Sequence, residues 1–250
     1  MYIAETNSTN TLLRERLAQG SWPDSERWLR AGFQTAGRGQ TGNGWESEAG
    51  KNLLFSVLLN PTDCLFDLNI LVSVAVHKML NGQLSTLQSQ LSIKWPNDIY
   101  WQDRKIAGIL IENALIGSRV CYTIGGVGVN INQTEFVSGA PNPVSLKQIT
   151  GRDYDMEELM TLFMNALDEV QSLSRDEQWA YYRAHLYRRE GYHPFVEREV
   201  NETPTMNADA SAQGQFLARI QDILPSGEIV LQTPNGQERK YHFKQIRYVL

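Results

Sequence analysis

The spacing of apolar and polar positions predicts both helices and strands along the chain. Apolar residues recur with helical spacing at 67–80, 155–170 and 177–186, and Ser8-Thr9-Asn10 precedes a shorter helical pattern that Gly20 closes. Apolar runs predict strands at 28–33, 52–59, 91–95, 105–114 and 119–129, with Gly117-Ser118 as the turn between the last two. Helices mixed with hairpin-linked strands are typical of an α+β fold.

The pattern changes after about residue 190. Short strands are predicted at 216–220, 228–232 and 239–243, and the turns Pro225-Ser226-Gly227 and Pro234-Asn235-Gly236 separate them at hairpin spacing. The sequence therefore predicts a larger domain over residues 1–187 and a small all-β domain over residues 188–250.

Composition narrows the class of protein. With 42% hydrophobic and 20% charged residues, the 250 residues suit a globular protein with a packed core. The net charge of −5 argues against a surface that wraps nucleic acid, since such a surface is usually basic. Cys64 and Cys121 are too few for a disulfide framework or a zinc cluster. Without a signal-peptide pattern or a bilayer-spanning apolar stretch, we expect a cytoplasmic protein that does not contact membranes.

A glycine-rich loop is the first candidate for chemistry. Its segment Gly37-Arg38-Gly39-Gln40-Thr41-Gly42 matches the spacing of a dinucleotide-binding loop, but a strand follows where that motif requires a helix. A loop with closely approaching backbone N–H groups and one arginine still suits an anion, because Arg38 can clamp a phosphate or carboxylate. A flexible surface loop stays open as the alternative.

Two lysine-containing segments form the next candidates. In Lys94-Trp95-Pro96-Asn97-Asp98, the proline ends a strand and the turn presents a cation, an amide and a carboxylate together. That mixture suits a phosphate, although ordinary turn chemistry also explains Asn97-Asp98. Lys105 heads an apolar strand, so it is either exposed or paired with an anion. Gly108 within that strand indicates a bulge or the close approach of a ligand.

The segment from Gly125 to Asn132 places three glycines inside a strand. Each costs about 0.5–1 kcal/mol relative to alanine, so a structural bulge or a flat ligand lying on the backbone is needed to explain them. In the second case Asn130 is placed to contact a purine edge or a phosphate. The four histidines are scattered, and the chain has neither the HExxH nor the GxSxG motif.

Together these segments resemble the biotin–protein ligase family over about residues 5–132. The family pattern has a Ser-Thr-Asn helix start, a glycine–arginine loop followed by tryptophan, a Lys-Trp-Pro-Asn-Asp turn, Lys-x-x-Gly-Ile-Leu and a glycine-rich strand ending in asparagine. This chain matches it with Ser8-Thr9-Asn10, Gln34 to Gly39, Trp45, Lys94 to Asp98, Lys105 to Leu110 and Gly126 to Asn130. The resemblance implies a mixed-sheet catalytic domain of the class II synthetase-like type and a small C-terminal SH3-like β-barrel.

The resemblance also implies a two-step reaction. The carboxylate of biotin attacks the α-phosphate of ATP and gives biotinyl-5′-AMP and pyrophosphate. A lysine amine of a biotin carboxyl carrier domain then attacks the activated carbonyl and releases AMP. Mg²⁺ is expected with ATP, held mainly by phosphates and water, so no protein ligand is assigned. The expected oligomeric state is a monomer or a weak homodimer.

Residue roles follow from the same resemblance. The catalytic positions are Arg38, Lys94, Asp98 and Lys105. The biotin-binding positions are Ser8, Thr9, Asn10, Gln34, Gly37, Arg38, Gly39, Gln40, Lys105, Gly108 and Gly126. The ATP-binding positions are Arg38, Trp45, Lys94, Asn97 and Asn130. Lys105 is expected to hold the biotin carboxylate, while Arg38 and Lys94 stabilise charge that develops at the phosphate.

The chain departs from the family pattern at two places. Bifunctional members carry a helix-turn-helix domain before the Ser-Thr-Asn segment, and only seven residues precede Ser8 here, so we expect no repressor function. Many bacterial members have arginine at the position of Gln40, so weaker retention of the adenylate and compensation elsewhere in the loop both stay open. The alternatives to a biotin ligase are a lipoate–protein ligase or octanoyltransferase of the same fold, and a non-catalytic biotin-binding module.

Overall fold

The computed structural model describes residues 1–40, 44–62, 64–84, 90–116, 119–137, 142–198 and 214–249. Their strands are β1 (Tyr2–Thr6), β2 (Trp28–Gln34), β3 (Leu53–Leu59), β4 (Leu91–Lys94), β5 (Asp98–Trp101), β6 (Arg104–Ile116), β7 (Arg119–Val129), β8 (His193–Glu197), β9 (Gln215–Ile223), β10 (Ile229–Gln232), β11 (Glu238–Tyr241) and β12 (Ile246–Tyr248). Their helices are α1 (Thr9–Ala18), α2 (Leu65–Leu84), α3 (Leu146–Thr150), α4 (Met156–Ser172) and α5 (Arg175–Ala184).

The first seven strands form one mixed sheet in the order β1-β2-β3-β7-β6-β5-β4. The pair β1 and β2 is parallel, and the other neighbouring pairs are antiparallel. The predicted α+β fold with a mixed sheet is confirmed. In the central register, Gly126 of β7 lies between Ser56 of β3 and Leu110 of β6. Because side chains alternate between faces, residues 56, 126 and 110 share one face of the sheet.

Helices α2 and α4 cover the opposite face and form the main core. Most residues of α2 are buried, as expected for a helix that is apolar on nearly all sides. Helix α4 presents one apolar face, and its Phe163 ring lies 4.6 Å from that of Phe55 on β3. The face that carries residues 56, 110 and 126 is covered by α1 instead. Helix α1 packs there through a smaller cluster of buried residues: Leu13, Trp22, Leu29 and Ile124. This leaves the glycine-containing parts of β6 and β7 facing the loop that follows β2.

The strands after residue 190 form a second sheet in the order β11-β10-β9-β8-β12. In the described residues of this region the predicted β-strands are confirmed, but they make an open sheet with β11 and β12 at its edges. Closure into an SH3-like barrel therefore stays a prediction. Phe195 and Tyr248 of this sheet belong to the same core cluster as Tyr100 of the larger sheet. The two regions share a core, and the boundary between residues 187 and 188 stays a prediction.

Most predicted elements are present with bounds shifted by a few residues. The predicted strand at 119–129 matches β7, whereas α2 extends the helix predicted at 67–80 at both ends. The sequence analysis missed β1, β5, α3, β8 and β12, which are three to five residues long and carry too few positions for a clear periodicity. The expected turn at Gly117-Ser118 lies outside the described residues. Within the described residues, none of the helices is both long and apolar enough to cross a membrane.

Candidate active site

On the sheet face that carries residues 56, 110 and 126, two glycines form a flat surface, which we call the floor. Gly108 of β6 and Gly128 of β7 lie opposite each other. The indole of Trp45 covers both, since a Cβ added at Gly108 would lie 2.8 Å from the Trp45 ring and one added at Gly128 would lie 2.7 Å from its Nε1. In the described part of the chain this buried Nε1 has no hydrogen-bond partner. The glycines therefore allow a flat group to contact the backbone, and here that group is the indole.

A buried polar network lies beside this floor, where α1 begins. Gln34 Oε1 accepts hydrogen bonds from the Thr9 backbone N–H (2.7 Å) and the Thr9 hydroxyl (3.1 Å). The hydroxyl of Ser56 donates to Asn10 Oδ1 (2.5 Å) and lies 2.8 Å from the Thr9 hydroxyl. Ser8 is the N-cap residue of α1, yet its hydroxyl makes no capping hydrogen bond. Three of the predicted biotin-binding residues, Thr9, Asn10 and Gln34, thus converge, and Ser56 joins them although the sequence analysis missed it.

Arg38 reaches the same network from the glycine-rich loop. Its guanidinium lies 3.1 Å from Glu112 Oε2 and 3.2 Å from the Thr11 hydroxyl. Asn10 donates to the same carboxylate oxygen at 2.7 Å, and Gly126 lies directly below Asn10. Glu112 on β6 was missed because no motif contains it. Its position, two residues beyond Leu110 on the same face, was the signal that could have identified it.

A second charged group, made by Lys105 and Asp98, lies beside Gly108 of the floor. The ammonium of Lys105 forms an ion pair with Asp98 Oδ1 at 2.8 Å and lies 5.8 Å from the Trp45 ring. A Cβ added at Gly108 would lie 3.2 Å from Lys105 Nζ, so the absence of a side chain there gives the lysine room. Asp98 begins β5, opposite Lys94 at the end of β4. The structure therefore brings together the three residues of this group that the sequence analysis predicted as catalytic.

Lys94 lies among aromatic rings contributed by both sheets. Its Nζ is 4.9 Å from the centre of the Tyr100 ring and 5.2 Å from that of Tyr248. Burial lowers the pKa of Lys94, and the carboxylate of Asp98 opposes that shift. A poorly hydrated ammonium is a strong binding group for an anion such as a phosphate. The role of Tyr248 was not visible in the sequence, because it depends on the C-terminal sheet packing here.

The remaining predicted residues occupy supporting positions. Gln40 Nε2 donates to Asn97 Oδ1 at 3.2 Å, and Asn97 Nδ2 donates to Asn69 on α2 at 2.6 Å. These amides line a cavity of about 460 Å³ between the two sheets. Asn130 is buried, and its amide donates to the backbone carbonyl of Val144 at 3.2 Å. In this structure Asn130 therefore supports the ends of the strands instead of facing the floor.

The glycine-rich loop is held near the floor by backbone contacts. The Trp45 N–H donates to the Gly37 carbonyl at 2.9 Å, and a Cβ at Gly37 would lie 2.7 Å from the Trp45 carbonyl oxygen. Gly39 lies between Arg38 and Gln40 in this loop. Thr41 and Gly42 of the motif lie outside the described residues. The described residues contain no group of three histidine, cysteine or acidic side chains that could hold a metal ion.

Comparison with known proteins identifies the family. The model of the biotin/lipoate A/B protein ligase family matches residues 2–130. A biotin–[acetyl-CoA-carboxylase] ligase of Paracoccus denitrificans is 32% identical over 177 residues, which are 68% of this chain and 72% of that protein. A ligase of the same name from Mycobacterium tuberculosis is 29% identical over 234 residues, which are 92% of this chain and 76% of that protein.

Solved structures show the same fold. Biotin protein ligase from Aquifex aeolicus in complex with biotin and ATP superimposes with a TM-score of 0.75 at 24% identity, covering 100% of this chain and 98% of that one. With a mixed sheet, a glycine floor and these relatives, the chain belongs to the biotin/lipoate A/B protein ligase family.

Proposed function

We propose that this ligase activates biotin as biotinyl-5′-AMP and transfers the biotinyl group to a lysine of a biotin carboxyl carrier domain. The observation that carries the proposal is that a polar hydrogen-bonding network and a lysine cation lie beside the same glycine floor. The network around Thr9 and Asn10 offers hydrogen bonds, as the ureido ring of biotin requires. The cation of Lys105 suits the carboxylate at the other end of biotin.

In the first step, the biotin carboxylate and ATP must approach although both are negative. Lys105 exchanges its partner Asp98 for the biotin carboxylate and orients that carboxylate for attack on the α-phosphate. Arg38 and Lys94 supply positive charge to the phosphate as charge develops on its oxygens. The new bond joins the carboxylate oxygen to phosphorus, and pyrophosphate leaves. Mg²⁺, held mainly by the phosphates, adds further charge neutralisation when bound.

In the second step, the carrier lysine attacks the carbonyl carbon of the adenylate. The bond from that carbon to the phosphate oxygen breaks, and AMP leaves with its electron pair. The attacking amine loses one proton, and Asp98 is the carboxylate placed beside Lys105 to receive it and pass it to water. Trp45 covers the floor and keeps water from the activated carbonyl, since its indole lies flat on both glycines.

The test is mass spectrometry of a biotin carboxyl carrier domain incubated with this protein, ATP, Mg²⁺ and biotin. We expect a mass gain of one biotinyl group, and a carrier whose acceptor lysine is replaced by arginine serves as the control. Lipoate or octanoate attached in place of biotin would identify a lipoate-type ligase. Biotin binding without pyrophosphate release would identify a non-catalytic binding module.

Further properties belong to the same proposal. We propose action in the cytoplasm on the carrier domain of a biotin-dependent carboxylase, as a monomer or a weak homodimer. The net charge of −5 supports the absence of nucleic acid among the partners, and membrane contact is not proposed either. An SH3-like closure of the C-terminal sheet belongs to the proposal as well. Sedimentation of the purified protein measures the oligomeric state.

A further inference from the structure

Glu112 lies outside every motif of the sequence, yet three side chains converge on it. It is on the site face of β6, in the row that begins with Gly108 and continues through Leu110. Its side chain is only 20% exposed. The groups around it come from α1 and from the glycine-rich loop, which are distant in the sequence.

The two carboxylate oxygens of Glu112 have different partners. Oε2 accepts from Asn10 Nδ2 at 2.7 Å and pairs with Arg38 at 3.1 Å. Oε1 pairs with Arg14 of α1 at 2.9 Å. One oxygen therefore holds two of the predicted site residues, whereas the other holds Arg14, which is not among them.

The carboxylate fixes the orientation of the Asn10 amide. Asn10 Nδ2 donates to Glu112 and lies 3.3 Å from the Leu110 carbonyl, so its donors point to β6. The acceptor Oδ1 is consequently turned to the Ser56 hydroxyl and to Gly126. A flipped amide would place its oxygen against the carboxylate, where two acceptors repel each other.

The same carboxylate holds Arg38 in place. A guanidinium on a flexible side chain loses conformational freedom when it binds a ligand, and a fixed partner reduces that loss. The Thr11 hydroxyl, at 3.2 Å, completes the support from α1. Glu112 thus prepares both Asn10 and Arg38 before any ligand arrives.

We propose that Glu112 is a positioning residue of the biotin site, which acts through Asn10 and Arg38 and determines how tightly the ureido end is bound. This inference rests on the proposed function. Loss of Glu112 releases both Asn10 and Arg38, and only Arg38 is assigned to ATP as well, so it is expected to affect biotin more than ATP.

The experiment compares three variants of the full chain. Glu112→Ala removes both contacts of Oε2, and we expect the KM for biotin to rise about 10–150-fold, the range for a lost charge-assisted hydrogen bond. The KM for ATP, measured at saturating biotin, is expected to rise less than the KM for biotin, because ATP loses only the support of Arg38 whereas biotin loses that of Asn10 too. Glu112→Gln keeps an oxygen that can accept from Asn10, so we expect an intermediate effect on biotin.

Arg14→Gln is the matched control, because it removes a cation from the same carboxylate without touching Oε2. We expect its KM for biotin to equal that of the wild type. Thermal unfolding of each variant reports on structural damage, and Glu112→Gln serves if Glu112→Ala does not fold.

Three results would overturn the inference. The first is an unchanged KM for biotin in both Glu112 variants. The second is an equal increase in the KM for biotin and for ATP, and the third is an equal effect of Arg14→Gln on the KM for biotin, because either of these would show a structural role only. If the wild type itself binds no biotin by calorimetry, the proposed function fails instead, so the two failures are distinguishable.

Discussion

The adjacent residues Gly125 and Gly126 face opposite sides of the sheet, which allows a sharp test of the site. A Cβ added at Gly126 would lie 2.8 Å from both Cγ and Nδ2 of Asn10. A Cβ added at Gly125 would lie 3.2 Å from Val57, 3.3 Å from Leu59 and 3.4 Å from Val72, all of which belong to the core. The same one-carbon change therefore affects the site at one position and the core at the next.

The magnitude at Gly126 follows from the contacts of Asn10. Carbon atoms normally stay about 3.5 Å apart, so the Asn10 amide must move by roughly 0.7 Å. That movement stretches its hydrogen bonds to Ser56 (2.5 Å) and Glu112 (2.7 Å). Weakening both costs about 2–4 kcal/mol of stability. A ureido group left unpaired by the displaced amide costs roughly 1–3 kcal/mol, which is a 5–150-fold loss of biotin affinity.

The expected result at Gly125 is different. An added methyl group overpacks the core, which typically costs about 1–3 kcal/mol of stability. The proposed biotin site on the other face keeps its geometry, so the biotin affinity of Gly125→Ala should equal that of the wild type. The two variants are therefore expected to lose stability to a similar extent and to differ in biotin affinity.

Calorimetric titration with biotin and equilibrium denaturation of both variants measure these quantities. Equal biotin affinities for Gly126→Ala and Gly125→Ala, with both proteins folded, would refute the assignment of the Asn10 network to biotin. A weaker affinity in Gly125→Ala than in Gly126→Ala would refute the assignment of the two faces.

Three further predictions concern single side chains. Lys105→Ala is expected to weaken biotin binding about 10–150-fold and to leave ATP affinity nearly unchanged, because Lys105 pairs with a carboxylate; unchanged biotin affinity in calorimetry would contradict it. Burial, reinforced by the charge of His185, lowers the pKa of His77 to about 4 from 6.5. The unfolded chain therefore takes up the proton first, and about 3 kcal/mol of stability is lost as the pH falls from 6.5 to 4. Denaturation of a His77→Leu variant at both pH values should lack this loss. Gln40→Arg is expected to slow adenylate dissociation in a chase experiment by up to about 10–150-fold, since an arginine adds a charged donor; equal dissociation rates would mean that the loop already compensates.

Local sequence patterns predicted several elements closely. Helix α4 was predicted at 155–170 and is found at Met156–Ser172, with Asp155 as the cap that accepts from two backbone N–H groups. A cap and an amphipathic period lie within one segment, so no distant contact is needed to recognise them. Strand β5 was missed for the opposite reason. Its four residues pair with β4 and β6, and they carry too few positions for a pattern of their own.

The glycine-rich strand shows how far the sequence reached into the site. Three glycines predicted either a bulge or a flat group on the backbone. The pairing of β7 with β3 and β6 is regular at all three, so no bulge explains them, and the Trp45 indole is the flat group at Gly128. Gly126 and Gly128 face Asn10 and Trp45, whereas Gly125 allows α2 to pack closely on the core side. The sequence could not separate them, because the face of each glycine depends on the register of β7 with its neighbours.

By itself, the sequence determined the α+β class, the β-strands after residue 190 and most residues of the two groups beside the floor, which are the polar network of Thr9 and Asn10 and the ion pair of Lys105 and Asp98. Motif residues could be recognised because their chemical types are concentrated in short segments. Only the tertiary structure decided that Ser56, Glu112 and Tyr248 join them. Each stands in an ordinary strand pattern, and each reaches the site through strand pairing or packing between residues more than forty positions apart. Such contacts depend on the register and packing of the whole sheet, which no local pattern records.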